Sequence, residues 1–251
     1  NRRNTTDISI LGGRAQITPP HDKGIMDEVK AVTDFATVKT MDKEAAKEAA
    51  FTKSSERRFD DAYIAELKKQ VLHQDAIDQV GKELKIVYSP LHGTGNIPAR
   101  RVLKELGFEN VYVVKEQELP DGEFPTVSYP NPESEEAFEL GLKLAKEVDA
   151  DLVLATDPDA DRLGVYVKDT KSGEYKVLTG NMSGCLLAEY EISQRQALKG
   201  LPEDGCLIKT IVTTNMADAI AKSYGLRLIE SLTGFKYIGQ QNSRIETTGK
   251  G

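Results

Sequence analysis

Three aspartates alternate in Ala155-Thr-Asp157-Pro-Asp159-Ala-Asp161-Arg162, directly after the apolar run Leu152-Val-Leu-Ala155. Carboxylates so close together repel one another unless a cation lies between them. Ligation by carboxylate oxygen alone suits a hard ion such as Mg²⁺. An extended loop would aim all three side chains the same way. Arg162 adds the forked donors that grip a phosphate. A solvated acidic turn is the competing reading, and the strand before the loop and the arginine after it weigh against that. The spacing is not that of a calcium EF-hand, because Arg162 stands at the required glycine and Lys168 at the bidentate glutamate.

Ser89-Pro-Leu-His92-Gly93-Thr-Gly95-Asn-Ile-Pro98 lies between an expected strand and an expected helix, where α/β proteins place ligands. It is neither a dinucleotide fingerprint, since Pro98 replaces the third glycine, nor a Walker A loop. His92 is a candidate catalyst, with loop packing as the competing role. In Leu232-Thr-Gly234-Phe-Lys236-Tyr-Ile-Gly239 a lysine between aromatics could bind phosphate, or could snorkel from a helix start. Gly180-Asn-Met-Ser-Gly184 reads as a helix cap or an anion seat.

The elements that must position these residues alternate. Periodicity predicts helices over 24–35, 61–80, 98–106, from Asn131-Pro132 through Val148, 182–196 and 215–224, with a further helix starting near Tyr237. Strands are predicted over 85–89, 111–114, 152–155, 163–167, 206–212 and 226–230, and a hairpin or boundary over 169–177. This pattern predicts an α/β protein of layered mixed sheets and helices, with mostly parallel strands.

The 251 residues suit one large domain or two medium ones. With 33 Lys plus Arg against 40 Asp plus Glu, the net charge is −7. The basic pairs Arg57-Arg58 and Arg100-Arg101 stand alone, so a nucleic-acid partner is disfavoured. No apolar run reaches membrane-spanning length, so no membrane partner is expected. Cys185 and Cys206 make no disulfide framework, which favours a reducing cytoplasm.

Taken together the motifs resemble the α-D-phosphohexomutase superfamily, above all its bacterial phosphoglucomutase/phosphomannomutase branch. The segments are Gln16-Ile-Thr-Pro-Pro-His-Asp22, Ser89 to Gly95, Ala155 to Gly164, Thr179 to Gly184 and Thr233 to Gly239, in the family's order. The resemblance implies four domains around a cleft and a phosphoserine that exchanges its phosphoryl group with a hexose phosphate. It implies Mg²⁺ held by Asp157, Asp159 and Asp161, Arg162 approaching the phosphoryl group, and Lys236 facing the cleft as a substrate-binding residue. Arg162, His92 and Lys236 are the candidate catalytic residues. The reaction implied interconverts hexose 1-phosphate and hexose 6-phosphate.

The departures shape the rest. No Ser-His-Asn-Pro loop occurs, nor the Gly-Glu-Glu-Ser sugar loop, nor a fourth domain, so the expectation is an internal piece that is inactive alone. Residues 1–40 would be the tail of the first domain, 41–60 a linker, 61–172 the complete second, metal-loop domain, and 177–251 the start of the third. Glucose and mannose are not distinguished, and oligomeric state is open. Restoring one C in the second codon of residues 1–8 turns Asn1-Arg-Arg-Asn-Thr-Thr-Asp-Ile8 into the family's Asn-Pro-x-x-Tyr-Asn-Gly-Tyr. Residues 1–14 are therefore expected to be out of frame, with ordinary divergence as the alternative. They are expected to pack poorly, and residues 240–251 to fray. Competing functions are a metal-dependent nucleotide-sugar glycosyltransferase, which also uses an Asp-x-Asp after a strand, and a non-catalytic metal-binding fragment. A haloacid-dehalogenase-type phosphatase is disfavoured by Asp161, which stands where Thr or Val is needed.

Overall fold

The computed structural model describes residues 16–49 and 57–248. In chain order the elements are α1 (His21–Ala31), α2 (Lys43–Glu48), α3 (Arg57–Lys68), α4 (Gln74–Val80), β1 (Lys85–Ser89), α5 (Asn96–Leu106), β2 (Asn110–Val113), α6 (Glu135–Val148), β3 (Leu152–Thr156), β4 (Leu163–Lys168), β5 (Tyr175–Leu178), α7 (Gly180–Lys199), β6 (Cys206–Thr210), α8 (Met216–Ser223), β7 (Arg227–Ser231) and α9 (Phe235–Thr248). They fall into two compact units: residues 57–199, and residues 16–49 with 200–248.

The first unit holds a mixed sheet of order β2-β1-β3-β4-β5. Strands β2, β1 and β3 are parallel, while β3-β4 and β4-β5 are antiparallel. The sheet is mixed, as expected, and its two antiparallel pairs have a length reason. The links 157–162 and 169–174 are hairpin-sized, and a parallel return needs a long crossover. The two long links do carry helices. They run in opposite directions across the sheet, so right-handed crossovers place α5 and α6 on opposite faces.

The core packs α6 onto the sheet. Val87, Val153, Ala155 and Tyr166 meet Ala137, Phe138 and Ala145, all nearly solvent-free. The Phe138 and Tyr166 rings lie 4.7 Å apart. Leu140, Leu144 and Val148 of α6 are only partly buried against this core. Ala137, Phe138, Gly141 and Ala145 are the buried positions, and the leucines flank them. The helix also starts later than Asn131-Pro132 predicted. Ser134 is its N-cap, while the Asn131 side chain is spent on the amide of Glu133.

Other boundaries moved too. The helix predicted over 61–80 is two, α3 and α4, separated at 69–73. The 41–60 segment holds α2, where Asp42 accepts from the amides of Glu44 and Ala45. In α1 no residue is buried, and Val29 and the C-cap Val32 are exposed. The second unit contains the parallel pair β6-β7 with α8 and α9 against it. Helix α9 continues to Thr248, so residues 240–248 do not fray as expected. Residues 1–14, where the frame-shift and poor-packing expectations fall, lie outside the described residues, as do 249–251. No helix among the described residues is long and apolar enough to cross a membrane.

Candidate metal centre

Neighbouring parallel strands β1 and β3 end level, with Ser89 opposite Ala155. From there the chain departs toward opposite edges of the sheet, to β2 from one strand and to β4 from the other. Such a divergence at the carboxyl ends of strands opens a crevice where α/β sheets hold ligands. The 157–162 loop and the 90–95 loop both lie there.

Asp157 follows β3 and is only 5% exposed. Its Oδ1 accepts the amides of Asp161 and Arg162, both at 3.0 Å. The amide of Ala160 donates to the Asp157 carbonyl at 2.9 Å, and Ala160 adopts φ 59°. The loop is thus a tight turn wrapped around its own first carboxylate, not the extended alternation expected. The aspartates still converge. One carboxylate oxygen from each of Asp157, Asp159 and Asp161 lies within 4.8 Å of the others. Arg162 Nε stands 3.8 Å from Asp157 Oδ2 and from Asp161 Oδ1, beyond hydrogen-bond length.

This donor set fits a hard divalent cation. Three carboxylates against one guanidinium leave two negative charges. All donors are oxygens, and the two amides that occupy Oδ1 of Asp157 fix its carboxylate with Oδ2 left over for an ion.

His92 is 6% exposed, with φ 59°. Its Nδ1 donates to the Leu119 carbonyl at 3.0 Å, which leaves Nε2 to accept from Thr126 Oγ1, also at 3.0 Å. Beside it, fully buried Gln117 accepts from Ser89 Oγ at 2.6 Å and donates to Thr126 Oγ1 at 3.1 Å. Both ring nitrogens are therefore engaged behind the loop. Lys236 belongs to the other unit, in the first turn of α9. Its Nζ is 3.5 Å from Asp22 Oδ2 and 5.0 Å from the Tyr237 ring centre. The Gly180 segment begins α7, where Thr179 Oγ1 accepts the Met182 amide at 3.3 Å as a cap.

Sequence reasoning passed over Thr94. Its amide and hydroxyl both donate to the Pro158 carbonyl, at 2.8 and 3.1 Å. It also passed over Tyr88, whose hydroxyl meets Thr156 Oγ1 at 2.8 Å, and whose burial pushes its titration above the ordinary phenol range. The partners of Thr94 and Tyr88 are 64 and 68 residues away along the chain, beyond any local signal.

A mixed sheet whose parallel strands end at a carboxylate loop defines an α/β protein with a candidate cation site at the carboxyl ends of its strands. Residues 61–173 match the family described as phosphoglucomutase/phosphomannomutase, alpha/beta/alpha domain II, and residues 179–246 match domain III of the same family. A phosphoribomutase of Saccharomyces cerevisiae is 34% identical over 249 residues, covering 93% of this chain and 39% of its own length. A phosphoglucomutase of Staphylococcus saprophyticus is 33% identical, with 95% and 42% covered, and a human phosphopentomutase is 33% identical, with 94% and 39% covered. The chain thus spans about two fifths of the length of these relatives. The crystal structure of a phosphoglucomutase/phosphomannomutase family protein from Burkholderia thailandensis superposes with a TM-score of 0.51 at 23% identity, over 70% of this chain and 36% of that one. The chain belongs to the α-D-phosphohexomutase superfamily.

Proposed function

We propose that this chain carries the metal-holding part of a phosphosugar mutase, an enzyme that moves a phosphoryl group between two hydroxyls of one sugar. The observation that carries the reading is the convergence of Asp157, Asp159 and Asp161 within 4.8 Å, at the end of β3 in the segment matching domain II. Residues 61–172 then act as the second domain of the whole enzyme, and 177–251 as part of the third. When bound, Mg²⁺ supplies positive charge against a phosphoryl group. Phosphoryl transfer depends mostly on positioning and charge neutralisation, so such a loop is a suitable contribution. Arg162, 55% exposed along its side chain and held only loosely by its carboxylate neighbours, is free to turn its fork to a phosphate oxygen. Lys236 offers a cation to a substrate phosphate once Asp22 yields it. His92 holds the loop from behind. These 251 residues contain no Ser-His-Asn-Pro sequence, so the reading places the phosphoryl-carrying serine outside them.

Hexose phosphate is the proposed substrate class. A pentose phosphate is the second reading, favoured by the names of the yeast and human relatives. Calorimetric titration of Mg²⁺ into the chain and into Asp159→Ala tests the site. Binding by the chain and not by the variant is expected, and equal binding by both sinks the assignment. The staphylococcal phosphoglucomutase carrying residues 85–168 of this chain in place of its own should convert glucose 1-phosphate. It should lose that turnover with Asp159→Ala.

A further inference from the structure

The 157–162 loop alternates aspartates with Pro158 and Ala160, and both intervening residues rest against the 93–95 segment. A Cβ added to Gly93 would lie 2.4 Å from Pro158 Cα and 2.6 Å from its carbonyl oxygen. One added to Gly95 would lie 2.6 Å from Tyr88 Oη, 2.7 Å from Thr156 Oγ1 and 3.2 Å from Ala160 Cβ. Between the glycines, Thr94 makes two hydrogen bonds to the Pro158 carbonyl, from its amide and its hydroxyl. We propose that Gly93-Thr94-Gly95 is the positioning element of the metal loop. It grips Pro158 and packs against Ala160, so that the three aspartates have only the ion's side to face.

The argument is steric first. Real side chains do not approach backbone at these distances, so any residue but glycine at 93 must push Pro158 away. Pro158 is covalently bound to both Asp157 and Asp159. A displacement there moves two of the three carboxylates relative to each other, and ligand spacing governs affinity for a small, rigidly coordinated ion. The base of the grip is itself fixed. His92 and Gln117 tie the start of the segment to the 117–126 stretch, and the amide of His92 donates to the Gln117 carbonyl at 2.9 Å. Partners that orient the ligands of a metal are worth about 10–100-fold in its affinity.

The inference rests on the metal reading proposed above, and the test separates the two. Mg²⁺ is titrated calorimetrically into the full chain and into Gly93→Ala, Thr94→Val and Thr94→Ser. Amide hydrogen exchange is followed on the metal-free proteins. Gly93→Ala should weaken Mg²⁺ at least about tenfold. Thr94→Val, an exposed position that leaves the fold alone, should weaken it about two- to tenfold, and Thr94→Ser should restore the parent affinity. Exchange should accelerate at the Asp161 and Arg162 amides in Gly93→Ala and Thr94→Val, with the β1 and β3 amides unchanged. If the chain binds Mg²⁺ and both variants bind it equally, the positioning role is overturned. If the chain itself binds none, the metal reading falls. The exchange data then decide the grip alone: local loss of protection at 161 and 162 upholds it, and unchanged protection overturns it.

Discussion

Asp157 has two separable duties, and a pair of substitutions divides them. One carboxylate oxygen takes the amides of Asp161 and Arg162, and so folds the loop. Under the proposed function, the negative charge would serve the ion. Asp157→Asn keeps an acceptor oxygen in place but loses the charge, whereas Asp157→Ala loses both. Either change relieves repulsion from Asp159 and Asp161, which is about 1 kcal/mol per pair at 4.8 Å in a water-like dielectric. That relief is common to the two variants and cancels between them. What remains is two hydrogen bonds to a neutral acceptor, at about 1 kcal/mol each. Asp157→Ala should therefore be less stable than Asp157→Asn by about 2 kcal/mol, or roughly thirtyfold in an exchange protection factor. Native-state hydrogen exchange at the sheet amides of β3 and β4, without metal, measures this gap within one unit of a chain that has two. Neither variant should bind Mg²⁺ like the parent. A gap below about 0.5 kcal/mol would refute the claim that these two amides template the loop. Parent-like Mg²⁺ affinity in Asp157→Asn would remove Asp157 from the ligands.

Four further outcomes are expected. Gly164→Ala places a methyl 2.2 Å from the Pro132 carbonyl oxygen and 2.8 Å from the Phe138 ring. It should cost about 3 kcal/mol, the upper end of overpacking, in urea unfolding. Gly184→Ala, inside α7 with nothing within 4 Å, should instead gain up to about 1 kcal/mol. Asp169, held by Lys176 and by the amide of Lys171, has its carboxyl lowered to about 2. Its folded value lies below the unfolded one, so its help to the β4-β5 hairpin is complete above about pH 4 and is lost as pH falls through 2. A carboxyl ¹³C titration with a midpoint near 4 would contradict this. Lys209, 3% exposed along its side chain, pairs with Asp218 at 2.5 Å and Glu230 at 3.1 Å, which raises its titration. Removing both half-exposed charge partners (Asp218→Asn with Glu230→Gln) leaves a buried ammonium with neutral acceptors only, among them Asn215 Oδ1 at 3.1 Å, so it should lower the melting temperature more than Lys209→Met does. The reverse order would refute the pairing argument.

What was legible in the sequence tracks where the physics is local. Strand β1 lies at Lys85–Ser89 as predicted, because four consecutive buried residues between turn signals have few alternative readings. The aspartate loop was legible because carboxylate crowding is a property of neighbours in the chain. Strand β5 overlaps the 169–177 stretch, which reads in sequence as a hairpin or boundary. It is a short edge strand with Lys176 and Val177 exposed, so no alternation marks it. In α1 the helical period was legible, but whether its apolar face is covered is decided by the rest of the fold, and Val29 is 56% exposed. The Asn131-Pro132 cap failed because an Asx turn and a helix cap use the same residue type. Here the asparagine closes a turn and leaves the cap to Ser134. Thr94 was illegible for another reason: its partner depends on strand order, which brings β1 beside β3.

That strand order has a consequence for the ion. A site that exists only when metal arrives must draw its ordering free energy from binding, as small metal-dependent folds do. Here the loop carries three closely spaced carboxylates and is nevertheless held by backbone. Amides within the loop close on Asp157, and the 93–95 segment closes on Pro158 from the neighbouring strand. The repulsion is thus met by hydrogen bonds and packing already in place, with Arg162 cancelling one charge. Little ordering is left for Mg²⁺ to drive. Under the proposed function, the ion's binding free energy would then be left for neutralising a phosphoryl group rather than for ordering the loop.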